Sequence, residues 1–474
     1  MLFSTPLFFA LLGTSLVVYW FARDLLTRQI ALLITSVVFY AFWYPPHLIL
    51  LFALVFVAYG VSRLIEVDEG QRLVWMGFGT VLVLICLAYY KYAEYFLTLA
   101  QPLIQASGKS IDPSAYRLEL PLGISFITFQ IIAYMVDVAK RELKPERNIF
   151  TFSLFVSFFP QLIAGPICRG HELLPQLKTK HNFIKRRFFS GLLILFAGLF
   201  LKVVFADNMA ADIDRIYAAP SEFPGGVLLW ASIGFGFQIL SDFWGYSTMA
   251  VGMALMFGIV IPINFNLPYI STSIQSFWRR WHITLSSWLR DYLYIALGGN
   301  RRGKLLTYRN LILTMLLGGL WHGASTNFVI WGAIHGGFLA IERLIRGLIT
   351  TTLSADGANL TALKWAWRPV GWAVTMFVTF TAWVFFRAET WDDSVSVISG
   401  IASAPMDGWL TVSSAMYVLI LAFVLLMVPV HRYIEAARHE KLSTPWLLLG
   451  SSVFLFLSVV MTSPDPVPFI YFQF

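Results

Sequence analysis

The chain reads as an all-α polytopic membrane protein, and two observations predict it. Hydrophobic residues fill 58% of its 474 positions and charged residues only 13%, against roughly 25% charged in a soluble domain. The apolar residues fall in runs long enough to cross a bilayer, with basic clusters between them. A globule of this size would carry far more surface charge, which excludes a soluble enzyme. The net charge of +8 is no nucleic-acid signal. Its basic residues sit beside apolar runs, where the positive-inside rule places them in the cytoplasm.

The elements follow in order. "MLFSTPLFFALLGTSLVVYW" has no basic residue before Arg23 and no small-residue cleavage site, so 5–22 is expected as a retained span. A shorter run, 30–44, closes at Pro45 and Pro46, neither of which can donate a backbone hydrogen bond. Further spans are expected near 47–63, 74–92, 121–139, 187–205, 227–258, 366–386, 411–430 and 445–462, all in one domain over 1–474. Cys86 and Cys168 lie far apart, and neither a disulfide nor a metal site is expected.

The loops set orientation. "KRELKPER" (140–147), "CRGHELLPQLKTKHNFIKRR" (168–187) and the region 278–310, which holds Arg301 and Arg302, are basic, hence cytoplasmic. "ADNMAADIDRIY" (206–217) and "RAETWDD" (387–393) are acidic and are expected outside, as are both termini. Parity then requires 149–167 and 311–341 to enter and return, as re-entrant segments with broken helices. Broken backbone is tolerated at membrane depth only inside protein or along a cavity. In 311–341, Gly318, Gly319 and Gly323 allow the break. A continuous tilted helix is the alternative.

"QSFWRRWHITLSSWLRDYLYIALGGNRRGK" (275–304) has helical periodicity. Phe277, Trp281, Leu285, Trp288, Tyr292 and Ile295 share one face, and Arg279, His282, Ser286 and Arg290 the other. The expectation is an amphipathic helix over 275–297 on the cytoplasmic interface. Its arginines either face lipid headgroups or receive a phosphate-bearing thioester; the pattern leaves both open.

Eight histidines remain to sort. His171, His181, His431 and His439 fall in charged stretches and are expected at the solvated surface. His47 follows two prolines and is expected as a cap or interface residue. His322 and His335 lie in "GGLWHGASTNFVIWGAIHG" (318–336), where an ionisable residue is costly and functional by default. His335 is equally explained as a packed, hydrogen-bonded imidazole. No metal spacing joins these residues, and no serine nucleophile elbow is present. Deep imidazoles beside a cationic interfacial helix suit acyl transfer, with a base taking a hydroxyl proton as the oxygen attacks a thioester.

"FPQLIAGPICRG" (159–170), "NFNLPYISTSIQSFWRRWHITLSSWLRDYLYIALGGNRRG" (264–303), the 318–336 segment and "FIYFQF" (469–474) resemble the membrane-bound O-acyltransferases. The similarity extends over nearly the whole chain, and is closest to the branch that acetylates exported polysaccharides such as alginate and cellulose. It implies a ring of about ten transmembrane helices around a tunnel, with His322 as principal catalytic histidine and His282 as second essential residue. It implies no bound cofactor, acetyl-CoA as cytoplasmic donor, and a bacterial inner-membrane location in contact with lipid. The acceptor side would be an extracytoplasmic acetyltransferase partner or the polysaccharide itself. Candidate substrate-binding residues are Arg279, Ser286, Arg290, Asn327, Asp242 and Tyr246. "FQILSDFWGYSTMAVG" (237–252) departs from the family's "YCDFSGYSDMA" at Ser241, Trp244 and Thr248; a role for the missing carboxylate would pass to Asp242. Thr326 and Ala296 also replace common Trp and Pro. D-alanyl transfer to teichoic acid from a carrier protein, or a transporter without acyl chemistry, are the alternatives.

Overall fold

The computed structural model describes residues 2–472 except 117, 164, 356–366, 404, 406–407, 409–411 and 464–466; Gln473 and Phe474 of the terminal motif lie outside the described residues. Among the described residues the regular structure is helical. Among the described residues seven helices are long and apolar enough to cross a membrane, and Pro6–Phe21, Leu25–Ala41, Ile124–Ala139 and Thr444–Val460 are shorter apolar helices. The helix Leu25–Ala41 begins at Asp24, whose side chain accepts from the Thr27 amide at 2.8 Å, an N-cap that satisfies one orphan donor.

The helix Gly225–Met256 forms the centre and is buried at nearly every position, as expected of a helix apolar all round. It packs antiparallel against Lys185–Phe200 with backbones in contact. A Cβ on Gly191 would lie 2.7 Å from the Gly252 carbonyl oxygen, and one on Gly198 would lie 2.6 Å from that of Gly245. Small residues seven apart on both helices permit this approach.

Loop contacts define two ends of the molecule. At one, Arg147 pairs with Glu66 at 2.8 Å, Arg187 with Glu440 at 2.9 Å, and Arg28 donates to the His181 carbonyl at 2.5 Å. This is the basic end. At the other, Arg387 pairs with Asp214 at 2.7 Å and Asn208 donates to the Met461 carbonyl at 2.8 Å. The contacts of the basic loops and those of the acidic loops thus fall in separate groups.

The segment 311–341 is not one continuous helix. Lys304–His322 and Thr326–Ala355 form an antiparallel hairpin that turns at Gly323–Ser325. A Cβ on Gly319 would sit 2.1 Å from the Phe328 carbonyl oxygen, and one on Gly332 would sit 2.3 Å from that of Met315. The first arm is about 28 Å long at 1.5 Å per residue, so the hairpin is deep. The segment 149–167 forms two short buried helices, Ile149–Ser157 and Phe159–Leu162.

The structure corrects the reading of 275–297 as one interfacial helix. Ile274–Trp278 ends at Arg279, the chain reverses, and a new helix starts at Ile283. His282 takes φ +40°, a left-handed conformation unusual for a residue with a side chain. Pairing with 264–266 holds it: the Asn266 amide donates to the Arg280 carbonyl at 3.0 Å and the Ile283 amide to that of Asn264 at 2.9 Å. Phe277, Trp281, Leu285 and Trp288 therefore face protein; Trp288 stacks on Phe129 at 3.7 Å and donates to its carbonyl at 2.8 Å.

Candidate active site

His322 is the last residue of its helix, and its ring is buried among Trp331 (4.8 Å), Trp321 (5.0 Å), Phe386 (5.1 Å) and Tyr471 (5.5 Å). A helix end leaves its final carbonyls without partners, and here the neighbouring helix Arg72–Ala106 supplies them. Lys91 Nζ donates to the Trp321 and His322 carbonyls at 2.8 Å each, and Tyr92 donates to that of Leu320 at 2.7 Å. A cation at a helix C-terminus also complements the helix dipole. The turn is held from beyond by Asn327, whose amide donates to the Ala388 and Thr390 carbonyls at 2.9 Å each.

His282 is fully buried. Its ring lies 4.7 Å from Phe243 and 6.1 Å from Trp321. Asn264 decides its tautomer. Asn264 Oδ1 faces the Thr284 backbone amide at 3.3 Å and Thr284 Oγ1 at 2.6 Å, so an oxygen must stand there. His282 Nδ1 lies 3.3 Å from that same oxygen and must carry the hydrogen. Nε2 is then a bare acceptor, and among the described residues it meets no partner. His322 Nδ1 is likewise unpartnered. A substrate can satisfy both atoms.

Cavities lie on both sides. A cavity of about 60 Å³ is lined by His322, Lys91, Ser125, Phe126 and Tyr471. It shares Lys91 and Leu120 with a basin of about 650 Å³ at the acidic end, whose walls include Glu94, Ser325, Arg387 and Glu389. On the His282 side, a slot of about 20 Å³ is lined by Trp244, Thr248, Asn264 and His431. It shares Val251 and Arg438 with a basin of about 360 Å³ at the basic end.

The other expected residues scatter. Because of the reversal at His282, Arg279, Ser286 and Arg290 do not share its face. Arg279 and Arg290 are exposed, Arg290 pairs with Asp291 at 2.7 Å, and Ser286 donates to the Trp281 carbonyl at 3.1 Å. Among the described residues Asp242 orients no histidine. It pairs with Lys202 at 2.9 Å and accepts from the Ile470 amide at 2.7 Å, while Lys202 also holds Asp207 at 2.6 Å. Tyr246 stacks between Phe3 (4.4 Å) and Phe469 (4.5 Å). His335 is enclosed by Trp331 (4.8 Å), Trp278 (5.1 Å) and Phe277 (5.9 Å), and neither ring nitrogen finds a hydrogen bond among the described residues. His431 is not a surface loop residue: it lies half-buried on Ser414–Arg438, lining the slot. His47 is buried at the first position of its helix. Lys91, Tyr92, Asn264 and Tyr471 were not singled out from the sequence. Lys91 carried a signal, as a cation inside an apolar run.

Comparison with known proteins gives the family. The membrane-bound O-acyltransferase family profile matches residues 138–384. A probable alginate O-acetylase, AlgI, of Azotobacter vinelandii is 40% identical over 398 residues, covering 83% of this chain and 76% of its own. A peptidoglycan O-acetyltransferase of Helicobacter pylori is 38% identical over 437 residues, covering 85% and 80%. A teichoic acid D-alanyltransferase of Streptococcus thermophilus is 29% identical over 310 residues, covering 61% and 72%. With a family profile over half the chain and such relatives over most of it, this multi-pass membrane protein is an O-acyltransferase of the membrane-bound O-acyltransferase family.

Proposed function

We propose that the protein relays an acetyl group across the bacterial inner membrane for O-acetylation of an exported polysaccharide. The observation that carries this reading is the pair of buried imidazoles, His322 lining one cavity and His282 bonded to Asn264 at the edge of another, each with a ring nitrogen that meets no partner among the described residues. The names of the relatives from Azotobacter vinelandii and Helicobacter pylori favour a polysaccharide acceptor and acetyl as the group moved.

The geometry supports a direct acyl transfer. A thioester donor, acetyl-CoA or an acetylated carrier, arrives from the basic end, and a hydroxyl from the acidic end. The neutral His322 imidazole takes the hydroxyl proton as the oxygen bonds to the carbonyl carbon. The C–S bond then breaks, and the sulfur leaves as a thiol with the proton that His322 held. His282 Nε2 accepts a hydrogen bond on the donor side. The hydroxyl belongs to the polymer or to an extracytoplasmic acetyltransferase partner that passes the group on. D-alanyl transfer from a carrier protein is the second reading, favoured by the 29% identical relative.

The test is polymer acetylation by the purified complex. His322→Ala is expected to lower transfer about 10²–10⁴-fold, the usual cost of losing a general base, at unchanged expression by blot. Near-normal transfer by a well-expressed His322→Ala would sink the mechanism.

A further inference from the structure

We infer that Asp242, with Lys202 as its counter-ion, is a positioning residue for acyl transfer: it holds the segment 467–471 in register, so that Tyr471 walls His322 from water. The inference rests on the acyl-transfer reading above and adds what fixes one wall of its chamber.

The sequence sets up the anchor. "LKVVFAD" (201–207) puts a cation and a carboxylate into an apolar run, where ionisable side chains are costly and need partners. In an α-helix residues five apart point about 140° away from each other. Here the turn Leu201–Ala206 is a π-helix, whose hydrogen bonds run from i to i+5 and bring such residues into line. Lys202 Nζ accordingly donates to Asp207 Oδ1 at 2.6 Å. Asp242, on the helix Gly225–Met256, brings a second carboxylate, with Oδ1 2.9 Å from Lys202 Nζ as an ion pair. All three residues are buried.

Two carboxylates offer more acceptors than one ammonium can use, and the terminal segment takes up the surplus. The Ile470 amide donates to Asp242 Oδ2 at 2.7 Å, and Lys202 Nζ donates to the Val467 carbonyl at 3.0 Å. The cluster therefore grips the segment twice, as acceptor at residue 470 and as donor at residue 467, and a slip of one residue breaks both contacts.

This grip places aromatic rings beside the histidines. Phe469 stacks on Tyr246 at 4.5 Å, and Tyr471 packs on Phe243 at 4.6 Å and lies 5.5 Å from His322, whose cavity it lines. Phe243 in turn lies 4.7 Å from His282. Aromatic pairs accept a range of offsets, so the rings alone fix the segment loosely along its length. Buried ion pairs add little stability over apolar residues of similar volume; what this one supplies is direction and register. A wall out of register admits water to the donor. The water oxygen then bonds to the acyl carbon in place of the hydroxyl, the C–S bond breaks, and acetate, a thiol and a proton are released. Hydrolysis in place of transfer, at unchanged donor binding, is the signature of lost positioning.

The test uses the full-length protein in nanodiscs with acetyl-CoA as donor, or an acetylated carrier protein where acetyl-CoA supports no transfer. Asp242→Leu removes the acceptor for Ile470 and leaves Lys202 paired with Asp207, so no lone charge is buried. Asp242→Asn keeps an oxygen in place, and Ile470→Pro removes the same hydrogen bond without touching the charges. Asp242→Leu and Ile470→Pro are each expected to lower kcat for transfer at least tenfold with the donor KM within twofold, and to raise hydrolysis per transfer at least fivefold. Asp242→Asn is expected to stay within threefold of the unmodified protein. Hydrogen exchange of a peptide carrying Ile470 should speed up at least tenfold in Asp242→Leu and change little in Asp242→Asn. If Asp242→Leu fails to insert, Ile470→Pro decides alone. Unchanged hydrolysis per transfer in Ile470→Pro, or lost transfer in Asp242→Leu with exchange at 470 unmoved, would overturn the positioning role. Near-normal transfer by His322→Ala, with the effects of Ile470→Pro present, would sink the imidazole chemistry and leave this inference standing.

Discussion

On either side of His322 the protein is built differently. Toward the acidic end the space widens to a basin of about 650 Å³ with Glu94, Arg387 and Glu389 on its walls. Toward the basic end it narrows to about 20 Å³ beside Trp244 and Asn264. A wide polar basin suits a bulky, hydrated acceptor that never fully enters. A closed slot suits a flexible arm that threads in and excludes water behind it, protecting a thioester from hydrolysis. Under the proposed acyl transfer, the contrast sets an open polar side, suited to a bulky acceptor, against a closely packed one.

The largest effect at the boundary between the halves is expected from Lys91→Met. It leaves the Trp321 and His322 carbonyls without their donor, and hydrogen bonds to charged groups are worth about 1.5–3 kcal/mol. Transfer should fall at least tenfold, with Lys91→Arg restoring part of it. Equal transfer by Lys91→Met and the unmodified protein, at equal Tm, would show that the helix end needs no cap. Next, Ser325→Trp narrows the outer basin. The acceptor KM should rise severalfold with the donor KM unmoved; a change in the donor KM would erase the distinction between the halves. The smallest effect is expected from His335→Phe. Its site is aromatic on three sides, and a swap of similar volume costs under about 1.5 kcal/mol. A loss of transfer as deep as that of His322→Ala would move His335 into the chemistry.

The helices were legible because a bilayer demands long apolar runs and basic loops on one side, and both are local properties of the chain. His322 was legible for the same reason: an imidazole among glycines and tryptophans stands out. The reversal at His282 was not. Its left-handed backbone is held by Asn264 and Asn266, sixteen or more residues away, and the helical periodicity of 275–297 continues straight through it. His431 misled in the same way, since a basic neighbourhood hid a helix that faces inward. Lys91 could have been found, as a lone cation within an expected span, but its role needs the hairpin turn that brings His322 to it.

The anchoring of the terminal segment also orders the protein's assembly. Asp242 meets the Ile470 amide across 228 residues of chain, and Lys202 meets the Val467 carbonyl across 265. Lys202 and Asp242 are synthesised long before Val467 and Ile470, which complete their contacts. Tyr471, which forms one wall of the cavity at His322, arrives with those partners. Insertion of the earlier helices and closure of the cavity at His322 by Tyr471 are therefore separate events in synthesis.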